Sequence, residues 1–173
     1  MVTAGNDTTK TMLTAGLLTL LEHPDQLAEL QDDRALVPDA VEEMLRYDNP
    51  LHYFRRTATK DTVLADTEIA AGQKLAMIYT SANRDEAVFD RPQEFDIRRR
   101  PNPHLSFGIA EHFCLGAHLA RLEARVFFEE LFDRFSAFEP SGPALRVRSN
   151  LNNAFRAAPL RLTPKERRRI PRG

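Results

Sequence analysis

"SFGIAEHFCLGAHLAR", residues 106–121, carries Cys114, the only cysteine among 173 residues. A cysteine used once has two readings. The plain one is a small core residue, because free cysteine is among the most buried residue types. The other is a ligand. Cys114 stands between an aromatic–glycine turn, Phe107-Gly108, and a segment with Leu115, Leu119, Leu122 and Val126 on one helical stripe. At the mouth of a helix, unpaired N–H groups and the positive dipole end stabilise an anion, the state in which sulfur binds metal. Gly108 and Gly116 bracket the cysteine, permitting a tight turn and a close approach by something flat. Phe107 is placed to shield the sulfur from water.

Downstream, "LGAHLARLEARVFFEELFDRF" predicts a long helix, and after Pro140 "ALRVR" and "PLRLT" predict a closing hairpin. Upstream, residues 87–113 form a loop longer than a compact domain usually tolerates without a use for it. Before it, "YFRRTATK", "TVLAD", "TEIA" and "KLAMIYT" are short, rich in β-branched and aromatic residues, and read as strands of a small sheet, with a helical turn at "SANRDEAVF". "PDQLAELQDD" and "VPDAVEEMLRYDNP" are helices opened by proline, the second stopping before Pro50. Apolar residues at helical spacing begin almost at Met1, so the first helix starts in mid-stride. The class is mainly α with a small β-sheet.

Whole-chain properties set the bounds. The length suits one domain, and 42% apolar residues can fill a core. One cysteine excludes an internal disulfide and makes a reducing, cytoplasmic compartment the expectation. A formal net charge of -1 gives no global pull towards nucleic acid or an anionic membrane, and no apolar run has the roughly 18 residues of a membrane span. The basic stretch over 164–173 reads as a flexible, solvated tail.

Two further clusters stand out. In "EEMLR", Glu43 and Arg46 are helical neighbours. The apolar stripe of Val37, Val41, Met44 and Leu45 puts them on the nominally wet face, as an ordinary surface pair. In "AGNDTT", residues 4–9, glycine inside a helix costs about 1 kcal/mol relative to alanine. The plain reading is a frayed end capped by Asp7 or Thr8.

Taken together and in order, these motifs resemble the cytochrome P-450 family. "FGIAEHFCLG" matches its heme-binding signature, Phe-Gly-x-Gly-x-x-x-Cys-x-Gly, at every fixed position but one; Ala110 stands where the second glycine is usual, and a positive φ there would strain the loop. The resemblance implies the C-terminal part of that fold over residues 1–173, without the N-terminal half. It implies heme b (iron protoporphyrin IX) held by Cys114, with Phe107, Gly108 and Gly116 shaping the loop and Arg56 and His112 at the propionates. It implies a buried lock of Glu43, Arg46 and Arg99, the last from "FDIRRR". Ala4 and Gly5 would open a groove over the heme, with Thr8 bonding back to the carbonyl of residue 4. Asp7 and Thr8 would relay protons to O2. The implied activity is hydroxylation of a small apolar substrate, with electrons from a ferredoxin- or flavodoxin-type protein, since no flavin or nicotinamide fingerprint is present. Arg121 and Arg125 either face an acidic redox partner or are solvated surface; His23, His52, His104 and His118 read as solvated or packed. The alternative is a truncated, catalytically silent chain that binds heme weakly or not at all.

Overall fold

The structure, a computed structural model, describes residues 2–166, with side chains from residue 5 onward. Three helices make the core: α1 (Val2–Glu22), α3 (Val37–Tyr47) and the long α5 (Ala117–Arg134), with α2 (Pro24–Asp32) and the one-turn α4 (Tyr79–Ala82) between them in the chain. Proline lies in the first turn of both α2 and α3, followed by Asp25 and Asp39, where a missing N–H does no harm and a negative charge meets the positive helix end. The centre of the packing is α3, of whose eleven residues seven are buried on all sides. Gly16 lets α1 approach it: a Cβ there would stand 2.5 Å from Met44 Sδ and 3.3 Å from Phe128 Cζ. Leu20, Leu30, Val41, Met44, Phe128 and Phe132 fill the space between the helices.

The strands form four separate antiparallel pairs rather than one small sheet. β1 (Tyr53–Thr57) pairs with β4 (Lys74–Ile78) and β2 (Thr62–Leu64) with β3 (Thr67–Ile69). The two-residue turn joining β2 to β3 has Ala65 and Asp66 both at positive φ, the backbone that matches hairpin twist. The expected C-terminal hairpin is corrected. α5 stops at Arg134, and Phe135–Pro140 becomes β5, which pairs with β8 (Leu160–Pro164); β6 (Leu145–Arg146) pairs with β7 (Phe155–Ala157). Thus "ALRVR" and "PLRLT" each take a different partner. The residues of "FSAFEP" bring aromatic groups to a pleated surface, burying Phe138 against Phe132 at 5.9 Å between ring centres.

The apolar stripe of Leu119, Leu122 and Val126 is the open face of α5: Leu119 is 59% exposed, with Leu122 and Val126 also exposed, and Leu115, just ahead of the helix, is 85% exposed. The buried face is Ala117, Ala124, Phe128 and Phe132, because the two rings bury more area than the leucines and settle which side turns inward. Of the stretch expected as a tail, Pro164 pairs with Phe135 and the Lys165 N–H donates to the Arg134 carbonyl at 2.8 Å. Residues 167–173 lie outside the described residues. No helix among the described residues is long and apolar enough to cross a membrane.

Candidate active site

Glu43 and Arg46 are both fully buried, and Arg99 joins them. The wet face inferred from the apolar stripe does not exist, because the irregular chain from Asn83 to Asn102 covers it. All five N–H donors of the Arg46 guanidinium are used. Nε and Nη2 donate to the Glu43 carboxylate at 2.7 Å each, and the rest go to the carbonyls of Asn83, Pro92 and Glu94 at 2.8–2.9 Å. Glu43 also accepts from Arg99 Nε, from the Asp96 N–H at 2.9 Å and from Asn102 Nδ2 at 3.1 Å. Arg99 continues to the carbonyls of Asp90, Arg91 and Glu94. Two buried cations and one anion are therefore balanced by carbonyl oxygens, which is how a charged cluster survives out of water.

The same segment delivers the cysteine loop. Asn83 Oδ1 accepts the Leu105 N–H at 2.8 Å, and its Nδ2 donates to Ser106 Oγ, which donates to the Leu45 carbonyl at 2.6 Å. The chain then turns at Gly108, φ +74°, where an added Cβ would meet the His112 carbonyl oxygen at 3.0 Å. Ala110 adopts φ +54°, left-handed backbone that costs an L-residue roughly 1–2 kcal/mol. A single 3-10 turn over Ala110–His112 follows, and the Cys114 N–H donates to the Phe107 carbonyl at 2.8 Å. The Cys114 carbonyl accepts the Ala117 N–H, so the thiol sits just ahead of α5. It is exposed and free.

These residues fit a flat apolar group with a metal at its centre. The thiol is accessible, its own backbone N–H is already committed, and a Cβ at Gly116 would lie 3.9 Å from the sulfur, so glycine leaves that flank bare. Ile109, Phe113 and Leu115 around it are exposed apolar side chains.

A second ionic group lies beside the lock and was not legible in the sequence. Arg121 grips Glu42 with two bonds of 2.7 Å, and His104 Nε2 contacts the same carboxylate at 3.1 Å. The His104 ring is buried and its Nδ1 accepts the Ser106 N–H, which places the proton of the neutral ring on Nε2. Burial alone would raise the Glu42 pKa, but the hydrogen bonds from Arg121 and His104, with the attraction of the Arg121 charge, outweigh it and hold it at about 2. The Arg121 guanidinium is held charged by its bond to Glu42 against partial burial, with smaller contributions from the charges of Glu42 and Cys114, and it stacks 4.5 Å over the Phe107 ring. Arg121 is thus a partly exposed side chain engaged by Glu42 rather than a wholly solvated one. Arg125 is half exposed and lies 3.6 Å from Glu129.

The remaining predicted residues lie on α1, on β1 and in the cysteine loop itself. Asp7 is exposed and 3.4 Å from Lys10; Thr8 is half-buried; Gly5 has open space around its Cα; the Ala4 side chain lies outside the described residues. Arg56 sits on β1 opposite Leu75 and donates locally to the Arg55 carbonyl, while His112 is exposed in the 3-10 turn. A cavity of about 620 Å³ lies elsewhere, between the Asn6, Thr9, Leu13 and Leu17 face of α1 and Phe127 and Phe155; among the described residues, Gly5 is the predicted site residue on its wall.

A buried Glu-x-x-Arg lock, and a cysteine presented by a glycine turn ahead of a long helix, define a class of helical scaffold that exposes a single thiol. The family model for Cytochrome P450 matches residues 1–156, and the chain belongs to the cytochrome P450 family. It is 49% identical over 156 residues to Putative cytochrome P450 126 of Mycobacterium tuberculosis, covering 90% of this chain and 38% of that protein. It is 50% identical over 133 residues to the Methyl-branched lipid omega-hydroxylase of the same species, covering 76% of this chain and 31% of that protein. The solved structure of Cytochrome P450-153 from Novosphingobium aromaticivorans superposes with a TM-score of 0.87 at 42% identity, over 91% of this chain and 40% of that one. The chain therefore spans roughly two fifths or less of the relatives it matches.

Proposed function

We propose that this chain is the heme-thiolate part of a cytochrome P450 monooxygenase that hydroxylates a small apolar substrate in the cytoplasm. The observation that carries the reading is the exposed Cys114 thiol on a loop whose approach is fixed by the buried lock. Heme b, when bound, supplies the redox chemistry of O2, and thiolate ligation favours O–O cleavage. The chain's own residues do the rest. Cys114 would hold the iron, Gly108 and Gly116 would keep the loop low, and Phe107 would keep water from the sulfur. Arg56 and His112 offer cationic or hydrogen-bonding partners to propionate carboxylates. Asp7 and Thr8 hold and pass protons at a carboxylate and a hydroxyl along α1, beside the opening that Ala4 and Gly5 leave. Electrons come from a ferredoxin- or flavodoxin-type donor. Similarity to a lipid hydroxylase supports an apolar substrate.

A second reading, a catalytically silent chain that binds heme weakly or not at all, is favoured by the exposed apolar side chains of Leu119, Leu122 and Val126 on α5 and of Leu115 ahead of it. One experiment separates the two. Load the chain with hemin, supply a surrogate ferredoxin system and isotopically labelled O2, and analyse a panel of aliphatic substrates. Label in a product, absent for Cys114→Ser, is the expected result; no labelled product supports the silent chain.

A further inference from the structure

We propose that Arg121 is a positioning residue for Cys114, acting through Phe107 and anchored by Glu42. The proposal rests on the reading of Cys114 as the iron ligand. Its own basis is a continuous set of contacts. Glu42, on the same helix as the lock, takes both forks of Arg121 at 2.7 Å. The guanidinium carbon lies over the Phe107 ring, 4.5 Å from its centre, and the Phe107 carbonyl receives the Cys114 N–H at 2.8 Å. His104 completes the group: its ring contacts Glu42, lies 6.0 Å from the Phe107 ring, and accepts the N–H of Ser106 at the entry to the loop.

The arrangement has a mechanical consequence. The hydrogen bonds described for residues 107–116 run between backbone groups, so the loop's side chains do little to fix its height over α5. The Arg121–Phe107 contact ties the loop to α3 through Glu42, beside the packing of the Phe107 ring against the core, and Arg121 reaches it from the helix that Cys114 itself leads into. Only a planar, doubly donating side chain can grip Glu42 and cover the ring at once, so lysine cannot replace arginine here. With the stack in place the Phe107 carbonyl is held towards the Cys114 N–H, and the sulfur is presented in one position. Without it the loop is free to shift, and the sulfur with it.

The test uses the full chain in two states. Without heme, hydrogen–deuterium exchange is measured for peptides covering 106–116 and, as an internal reference, α3. With hemin bound, reduced and exposed to carbon monoxide, the share of thiolate-type absorbance near ~450 nm over the ~420 nm form is measured. Variants are Arg121→Gln, Arg121→Lys, Glu42→Gln, the reversed pair Glu42→Arg with Arg121→Glu, and Arg125→Gln as a control. The expected result is faster exchange in the loop by about tenfold for Arg121→Gln, the factor that about 1.4 kcal/mol represents, with α3 unchanged. The ~450 nm share should fall in Arg121→Gln and Arg121→Lys, recover partly in the reversed pair, and stay at the native level in Arg125→Gln. Equal opening of loop and α3 in every Arg121 variant would overturn the proposal, as would loop exchange indistinguishable from native or full rescue by lysine. A native chain that never shows the ~450 nm band would sink the heme reading itself, while the exchange comparison would still decide whether Arg121 holds the loop.

Discussion

Two consecutive stretches of one irregular segment are held in opposite ways. Residues 83–106 are pinned by side chains: Arg46, Arg99, Glu43 and Asn83 reach their carbonyls and N–H groups from inside the molecule. Residues 107–116 are held by their own backbone, by two residues at positive φ, and by one guanidinium stacked on one ring. The first stretch is a wall and the second is a presenting arm. A loop that must offer an unencumbered thiol cannot itself be knotted by side chains, so the rigidity is placed immediately before it and immediately after it, in α5.

The comparison breaks most visibly if the wall is breached. Arg46→Ala takes two of the six hydrogen bonds from the buried Glu43 carboxylate and leaves the Asn83 and Pro92 carbonyls without their guanidinium donor, and losing one member of a buried ionic group costs about 3–5 kcal/mol. Urea unfolding of the chain should show that loss, against about 0–1 kcal/mol if the pair were a surface one.

A smaller effect separates the tie from the wall. The Glu42 carboxyl is held at about 2 in the folded chain against an ordinary 4.5, so it contributes stability above pH 4.5 that fades as pH falls towards 2. The gap in unfolding free energy between the native chain and Glu42→Gln should therefore be widest near neutral pH and close in acid. Since the carboxylate is partly solvated, the closing amounts to about 1–2 kcal/mol. A gap that stays constant with pH would mean that Arg121 and His104 do not hold it.

The smallest effect sharpens the account of the arm. Ala110→Gly relieves a left-handed alanine worth roughly 1–2 kcal/mol but loosens the unfolded chain by about 0.4–1, for a net gain near ~0.5 kcal/mol. Thermal melting should rise slightly, and loop exchange should slow in step.

The arm was legible because its signature is local: turn residues, cysteine and helix start lie within one short run. The glycine that matters most, Gly108, and the strained Ala110 could both be marked from the pattern. The wall was half legible. Periodicity placed Glu43 and Arg46 in water, since a helical stripe records only which side is apolar and not whether a distant loop covers the other side with carbonyls. The Glu42–Arg121 tie joins residues 79 apart with no shared motif, and a doubled Glu before the lock was its only trace. The α5–β5 junction carries neither glycine nor proline, so the helix reads on past Arg134 where tertiary pairing with β8 ends it. On α5 two apolar stripes compete, and only packing shows that Phe128 and Phe132 win over Leu119 and Leu122.

The central claim, that this scaffold exists to present Cys114 to heme iron, has one direct measurement. The full chain is loaded with hemin, reduced and exposed to carbon monoxide, beside Cys114→Ser treated identically. A Soret band near ~450 nm in the native chain, lost in the serine variant while folding is retained, is the predicted result. A well-folded native chain whose band lies near ~420 nm, the same as that of the variant, would contradict it.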